Sequence, residues 1–268
     1  MNASVLILLM VFFSANSHAA INCPLDSANR YDSVVKIIGE RPNGEPEYCT
    51  GTILKGGCFV LTAAHCVVHK GAVVAPAKFK IKSGVNSETD IGPVQFVYSH
   101  PDFKAFDGND VALLKLSKCV SKGGMDIEYG PFTSDRKVIV GGYGVRSISS
   151  FASQPSRYMG ESKITEFNDQ KICLGPIKVG KDGQKILSGS GCLPVGQDSG
   201  SAFIQNGKIR GVHNSAEETW LDSGVTLVER SCATNLRNPS IRSFIESTLN
   251  QATPSATNPK DKSALGFK

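Results

Sequence analysis

Beyond residue 13 this chain has no apolar run approaching the roughly 20 residues a membrane-spanning helix needs, so no membrane anchor is expected. It has no tract of Lys or Arg and no basic stripe interleaved with aromatics. Its formal charge of +5 is spread over 268 residues, and nucleic acid is not an expected partner. No Cys-x-x-Cys pair or Cys/His cluster has the spacing of a zinc site, so neither a metal nor another cofactor is expected. No internal repeat is found. Histidine is scarce as well: of five, only His65, His69, His100 and His213 lie beyond the first twenty residues.

What is present begins with a short apolar stretch, Val5 to Phe13, followed by small and polar residues ending Ser17-His18-Ala19-Ala20. That stretch is too short to span a bilayer and suits the apolar region of a secretory signal peptide. A signal peptide is expected over residues 1–20, with cleavage after Ala19 or Ala20. All eight cysteines (23, 49, 58, 66, 119, 173, 192 and 232) follow it, and an even number in an exported chain points to disulfides. The expected destination is outside the cell or in a periplasm.

From Tyr31 the sequence turns into short, β-branched, alternating runs separated by Gly, Pro, Asn and Ser. One set comprises residues 34–38, 58–61, 78–81, 94–98 and 111–116; a second comprises 137–140, 158–164, 202–204, 209–212 and 225–228. Turn signals at this spacing predict an all-β sandwich or barrel. A Gly-rich polar stretch from Ser117 to Asp135 divides the two sets. One helix is predicted over 239–250: Asn238 is a suitable N-cap, Pro239 suits the first turn, and Ile241, Phe244, Ile245 and Leu249 share a face. Residues 251–268 show no apolar period and are expected to form a flexible tail.

Three segments carry the chemistry. They are Thr62-Ala63-Ala64-His65-Cys66, then Asn109-Asp110-Val111-Ala112-Leu113-Leu114, then Gly196-Gln197-Asp198-Ser199-Gly200-Ser201. A serine hydroxyl is a weak nucleophile at neutral pH and needs a base within hydrogen-bond reach. His65 would take the proton from Ser199, and Asp110 would hold the imidazole in the required tautomer. Singly, each has a plainer reading: a buried histidine, an aspartate in a turn, a serine in a loop. Together, in the order His, Asp, Ser, they read as base, orienter and nucleophile. Asp107 competes with Asp110 but lacks the matching flanks. His69 reads as a solvated loop residue, and His100, in His100-Pro101-Asp102-Phe103, as a structural turn residue.

On these segments, and on Gly211-Val212-His213 after them, the chain resembles the chymotrypsin-like serine endopeptidases, bacterial secreted members in particular, over about Ser33 to Leu249. The resemblance implies two packed antiparallel Greek-key β-barrels, over about 31–120 and 136–238 of a peptidase domain spanning 21–250. It implies peptide hydrolysis through an acyl-enzyme, with His65, Asp110 and Ser199 catalytic and the backbone N–H groups of Gln197 and Ser199 forming the oxyanion hole. A protein or peptide substrate and a monomeric state go with it. It further implies a Cys49–Cys66 bridge around the histidine loop, worth roughly 3 kcal/mol on the chain-entropy model. Cys58–Cys119 would cross the first barrel. Cys23, Cys173, Cys192 and Cys232 can then pair in three ways.

The substrate pocket is expected near Ser190 to Val195, where no Asp stands to bind Lys or Arg. His213, 14 residues after Ser199, sits where the resembled glutamyl endopeptidases place a histidine. It is therefore expected, with Ser190, to bind substrate, its imidazole suiting an acidic side chain. Asn214 is expected to hydrogen-bond Asp110. The stretch from Ala72 to Lys82 lacks the acidic residues a family-type calcium loop would need.

The pattern departs from the family twice. Gln197 stands where the family usually has Gly, next to the nucleophile. No Ile-Val-Gly-Gly-type sequence marks an activation site, although Ile21, 14 positions before Val35, is placed to supply a new amino terminus. Either that ammonium pairs with Asp198, or local N–H donors hold Asp198. The competing functional expectation is a catalytically silent homologue acting as a secreted binding protein.

Overall fold

The computed structural model describes residues 20–85, 87–104, 108–121, 123–145, 154–180, 186–188, 191–220 and 226–252. Residues 1–19 of the expected signal peptide, Asp107, Asp182, Ser190 and the chain beyond Ala252 lie outside them.

The first half folds into β1 (Val34–Glu40), β2 (Pro46–Ile53), β3 (Phe59–Thr62), β4 (Val68–His69), β5 (Ala72–Val73), β6 (Lys80–Ser83), β7 (Thr89–Ser99) and β8 (Ala112–Leu116). Six of these close a barrel in the order β1-β2-β3-β8-β7-β6, while β4 and β5 form a separate hairpin. The second half supplies β9 (Lys137–Gly142), β10 (Tyr158–Phe167), β11 (Lys171–Leu174), β12 (Ile177–Val179), β13 (Ile186–Ser188), β14 (Ala202–Gln205), β15 (Lys208–Trp220) and β16 (Thr226–Asn235). Here β11-β10-β9-β14-β15-β16 closes through a β11–β16 pairing, and β12 and β13 extend the sheet beyond β16. In both rings the six barrel strands, numbered along the chain, run in the order first, second, third, sixth, fifth, fourth. The topology repeats although the sequence does not. Two six-stranded antiparallel barrels and a C-terminal helix are the expected architecture.

Apolar burial explains most of the strands, continuous in β3 and β14 and alternating in β6 and β12. Ile37, Ile53, Leu61, Ile81, Leu113 and Leu114 are buried in the first barrel, and Ile164, Ile172 and Phe203 in the second. Three features escape that pattern. The inner part of β2 is buried through Thr50 and Thr52 rather than through large apolar residues, so it gives no hydrophobic signal. The far half of β15 runs through exposed Glu217, Glu218 and Thr219 and is held by its ladder with β16. The stretch between the barrels is pinned by Leu54–Met125 and Ile127–Ile209 bridges and by the Cys58–Cys119 disulfide.

The helix α1 (Pro239–Ala252) starts on Asn238, whose Oδ1 accepts the Ser240 N–H at 2.9 Å. Ile241 and Ile245 press into the core that also holds the first barrel, with Phe244 and Leu249 beside them. The helix runs past the predicted end at 250, through Gln251 and Ala252. Both residues propagate a helix at little cost without needing an apolar contact.

Ahead of β1, an N-terminal arm lies against the second barrel. Ala20 and Ile21 are buried in its core, Ile21 bridges Leu193, and Cys23 is bonded to Cys192. Asp26 is clamped by Arg157: the carboxylate accepts from Nε at 3.0 Å and Nη2 at 2.9 Å, and both side chains are buried. Arg157 also donates to the Val34 carbonyl and the Tyr143 hydroxyl, at 3.0 and 3.1 Å. The disulfides are Cys23–Cys192, Cys49–Cys66, Cys58–Cys119 and Cys173–Cys232, which resolves the pairing that the sequence leaves open.

Candidate active site

A cleft of about 770 Å³ is lined from the first barrel by His65, Asn109 and Asp110 and from the second by Gln170, Lys171 and Asn214 to Glu217. His65 stands in a single 3-10 turn, Ala64–Cys66, immediately after β3, and the bond from Cys66 to Cys49 ties that turn to β2. Asp110 stands two residues before the start of β8 and is buried.

Both carboxylate oxygens of Asp110 serve His65. Oδ2 lies 2.7 Å from the ring Nδ1, and Oδ1 accepts the His65 backbone N–H at 2.9 Å. With Nδ1–H given to the carboxylate, Nε2 is left as the basic nitrogen facing outward. Burial alone disfavours the imidazolium. The hydrogen bond and negative charge of Asp110, with the charge of Glu47, outweigh it and hold the His65 pKa above its ordinary 6.5.

The expected direct bond from Asn214 to Asp110 is replaced by a relay. Asn214 Nδ2 donates to Thr234 Oγ1 at 3.1 Å, and that hydroxyl donates to the Asp110 main-chain carbonyl at 3.3 Å. The β15–β16 ladder sets Thr234 beside this end of β15, so the shorter threonine, rather than the amide, meets the first barrel.

The turn that carries Ser199 is pinned from three sides. The Ser199 carbonyl accepts the Thr50 N–H at 2.8 Å and lies 3.7 Å from Cys66 Sγ, while the Gly200 N–H donates to the His213 carbonyl at 2.8 Å. Ser199 is thereby brought beside the His65 turn. No hydrogen bond joins Ser199 Oγ to His65 Nε2 among the described residues. Gly200 has φ +87°, and a Cβ there would stand 2.2 Å from the Thr50 carbonyl oxygen, so only glycine fits.

Gln197 adopts φ +68°, the left-handed conformation that glycine takes freely. For another residue this costs about 1–2 kcal/mol. The turn is supported by Thr50, whose Oγ1 accepts the Tyr143 N–H at 3.2 Å and donates to the Gln197 carbonyl at 3.4 Å. Thr50 is a site residue that motif reading missed. Its signal was a buried polar residue one position after the bridging Cys49, and burial is invisible in sequence.

Asp198 is fully buried beneath the turn. Its oxygens accept the Gly144 N–H at 2.9 Å and the Val195 N–H at 3.1 Å. Gly144 has to be glycine, since a Cβ would lie 2.5 Å from the Asp198 Cγ. Burial pushes the Asp198 pKa up to about 7, despite the two N–H donors. With Ala20 still joined to Ile21, these two N–H groups are the contacts that hold the carboxyl.

His213 is 2 % exposed and stacks on Phe203 with ring centroids 6.3 Å apart. Neither ring nitrogen has a hydrogen-bond partner within the described structure. Burial, then the proximity of His65, pushes its pKa down to about 3, so the ring is neutral at physiological pH. On the neighbouring strand, two residues before Ala233, which pairs with His213, the Ser231 hydroxyl donates to the Pro194 carbonyl at 2.6 Å. Ser190, the other expected substrate contact, lies outside the described residues.

The remaining histidines separate cleanly. His69 is not a solvated loop residue: it lies on β4 with Nε2 2.9 Å from Glu47 Oε2, because the hairpin folds it back over β2. His100 is a buried structural residue. Its Nδ1 accepts the Asp102 N–H at 3.2 Å, and its Nε2 lies 3.1 Å from Ser240 Oγ at the start of α1. The only grouping of possible metal ligands among the described residues is Cys49, His65 and Cys66, and its two sulfurs are bonded to each other. No helix among the described residues is long and apolar enough to cross a membrane.

Comparison with known proteins agrees with this fold. The trypsin family profile matches residues 26–226, and the chain belongs to the trypsin-like serine protease family. Solved structures similar to it include granzyme C, at a TM-score of 0.63 and 17 % identity over 86 % of this chain and 99 % of that one. Neuropsin, a serine protease expressed in the limbic system of mouse brain, matches at a TM-score of 0.60 and 17 % identity, covering 82 % of this chain and 96 % of the other. At such identities the likeness concerns the fold. No curated protein sequence matches the chain.

Proposed function

We propose that the chain is a secreted serine endopeptidase whose catalytic residues are Ser199, His65 and Asp110. The observation that carries this reading is the double grip of Asp110 on His65, through the ring at 2.7 Å and the main chain at 2.9 Å. A carboxylate that merely ended a turn would not need to fix both the tautomer and the position of an imidazole. In the proposed reaction His65 Nε2 takes the Ser199 proton as Oγ attacks the peptide carbonyl. The resulting imidazolium is stabilised by Asp110 and returns the proton to the leaving amine. The N–H groups of Gln197 and Ser199 receive the oxyanion, and water then hydrolyses the acyl-enzyme. No step calls for a metal or cofactor. The four disulfides and the apolar stretch near the amino terminus support export; the working form is taken to be a monomer acting on protein or peptide substrates, with no role for nucleic acid.

Maturation at Ala20–Ile21 would place a new ammonium in the buried arm, whose core neighbours include Leu193 and Val195 beside Asp198. Pairing there would reverse the raised pKa of Asp198 by giving the carboxylate a cation.

For specificity, His213 lies one position before Asn214 of the cleft wall and is a buried polar side chain without a hydrogen-bond partner. A buried polar atom left unbonded is costly, and an acidic substrate side chain would satisfy it. Because the free ring is neutral, binding a carboxylate there takes up a proton, so this preference grows as pH falls. No acidic residue among the described positions 191–195 would receive Lys or Arg. A cleavage-site profile on a denatured protein mixture is expected to be enriched for cuts after Glu or Asp. A profile dominated by Arg and Lys, or no cleavage by correctly processed protein, overturns this.

The second reading, a silent homologue, is favoured by one observation, the absent Ser199–His65 hydrogen bond. Hydrolysis of any peptide, abolished in Ser199→Ala, decides against it.

A further inference from the structure

Two residues before Ser199, Gln197 holds a left-handed backbone, φ +68°. A residue with a side chain keeps such a conformation only where its surroundings over-determine it. Here both peptide planes that flank Gln197 are held. The plane before it carries the Gln197 N–H and is fixed through the Gly196 carbonyl, which accepts the Val145 N–H at 3.0 Å. The plane after it is fixed at both ends. The Asp198 N–H donates to the Val195 carbonyl at 3.0 Å, and the Gln197 carbonyl accepts from Thr50 Oγ1 at 3.4 Å. Of these three contacts only the one from Thr50 comes from a side chain. Thr50 has little freedom of its own: it is fully buried, and its N–H donates to the Ser199 carbonyl at 2.8 Å. Its Oγ1 accepts the Tyr143 N–H at 3.2 Å and gives its proton to the Gln197 carbonyl. A Cβ on Gly142 would stand 2.6 Å from that oxygen, so the glycine leaves the hydroxyl its place.

We propose that the Thr50 hydroxyl is a positioning group for the oxyanion site, required because residue 197 is not glycine. This inference rests on the endopeptidase reading, which gives the Gln197 N–H to the oxyanion, and deepens it by naming what holds that donor. Glycine takes either backbone hand at similar cost, so a glycine turn has no need of the grip. Glutamine released from Thr50 gains by returning to negative φ. That rotation turns the peptide plane carrying its N–H, and the donor leaves its place.

The test uses the full-length mature protein and denatured casein carrying quenched fluorophores, whose flexible chain offers many cleavage sites. Values of kcat and KM are measured for the native protein, Thr50→Ser and Thr50→Val, and the Thr50→Val loss is measured again in a Gln197→Gly background. Losing an oxyanion donor outright costs about 10²–10³-fold in kcat, so displacing it in part is expected to make Thr50→Val about 10- to 100-fold slower. KM should change little, because the lost interaction belongs to the transition state. Thr50→Ser, which keeps the hydroxyl, is expected to recover most of the loss. In the Gln197→Gly background Thr50→Val is expected to cost no more than about threefold. The Tyr143 N–H loses its acceptor in both backgrounds alike, so the difference between the two losses reports the coupling to Gln197. Crystal structures give a readout that needs no turnover. In Thr50→Val, Gln197 is expected to leave the left-handed region, and in the double variant residue 197 is expected to stay there. A Thr50→Val kcat within about twofold of native, equal losses in the two backgrounds, or an unmoved Gln197 overturns the proposal. Native protein that hydrolyses nothing sinks the endopeptidase reading instead, and the two crystal structures still decide whether the hydroxyl holds the turn.

Discussion

Asp110→Asn is expected to lower kcat/KM on any cleaved peptide about 10⁴-fold while the protein still folds. An asparagine of the same shape can keep one contact to His65, either to the ring or to the main chain. It cannot accept from both without turning an N–H toward one of them. The imidazole is then free to present its protonated nitrogen to Ser199, which makes it useless as a base. A second signature separates this from a general loss of structure. In the native protein Asp110 holds the His65 pKa above 6.5, and only the neutral ring works, so activity rises with pH through that raised pKa. Without the carboxylate charge, burial dominates and the residual activity should rise at a lower pH. The kcat/KM–pH profile of both proteins reads this directly.

The largest expected effect on stability comes from Arg157→Met. It would cost about 3 kcal/mol, on the low side of the range for breaking a buried ion pair. Both members of the Arg157–Asp26 pair are almost fully buried, at 0 and 1 % side-chain exposure, so removing the cation strands a carboxylate away from water. The cost is moderated because Asp26 also accepts the backbone N–H groups of Arg30 and Tyr31, at 2.9 and 3.0 Å. For a domain of this size the melting temperature should fall by roughly 6–12 °C. The double variant Arg157→Met with Asp26→Leu should recover part of the loss, since it strands no charge. Thermal unfolding of the two variants measures both effects. A single variant as stable as the native protein would mean that the arm is not held by this clamp.

How far the sequence alone reaches can be judged residue by residue. The segments around His65, Asp110 and Ser199 stand out in the sequence because each lies close to a short apolar strand and they follow one another in the order His, Asp, Ser; of the three, the structure hydrogen-bonds His65 to Asp110. The barrels were legible through short β-branched and apolar runs broken by turn residues, although strands such as β3 and β14 are buried throughout. What stayed hidden depends on contacts between distant segments. Thr50 looks unremarkable in sequence yet supports the Ser199 carbonyl with its N–H and the Gln197 carbonyl with its hydroxyl. Thr234 stands between Asn214 and Asp110 only because of the β15–β16 ladder. The Cys23–Cys192 bridge joins residues 169 positions apart, and nothing local announces it.

The anomaly at Gln197 takes a definite form in the structure. The backbone holds glycine's conformation, φ +68°, with a glutamine in place. The turn therefore takes the left-handed conformation at the cost of local strain. That strain sits directly before Asp198, whose carboxyl relies on main-chain donors.

The central claim is that Ser199 is a nucleophile activated by His65, and its most direct test is labelling of the mature protein with a fluorophosphonate probe. The account predicts one label, on Ser199, lost in His65→Ala while the variant remains folded. Absence of label on correctly processed native protein, or label that persists unchanged in His65→Ala, would contradict it.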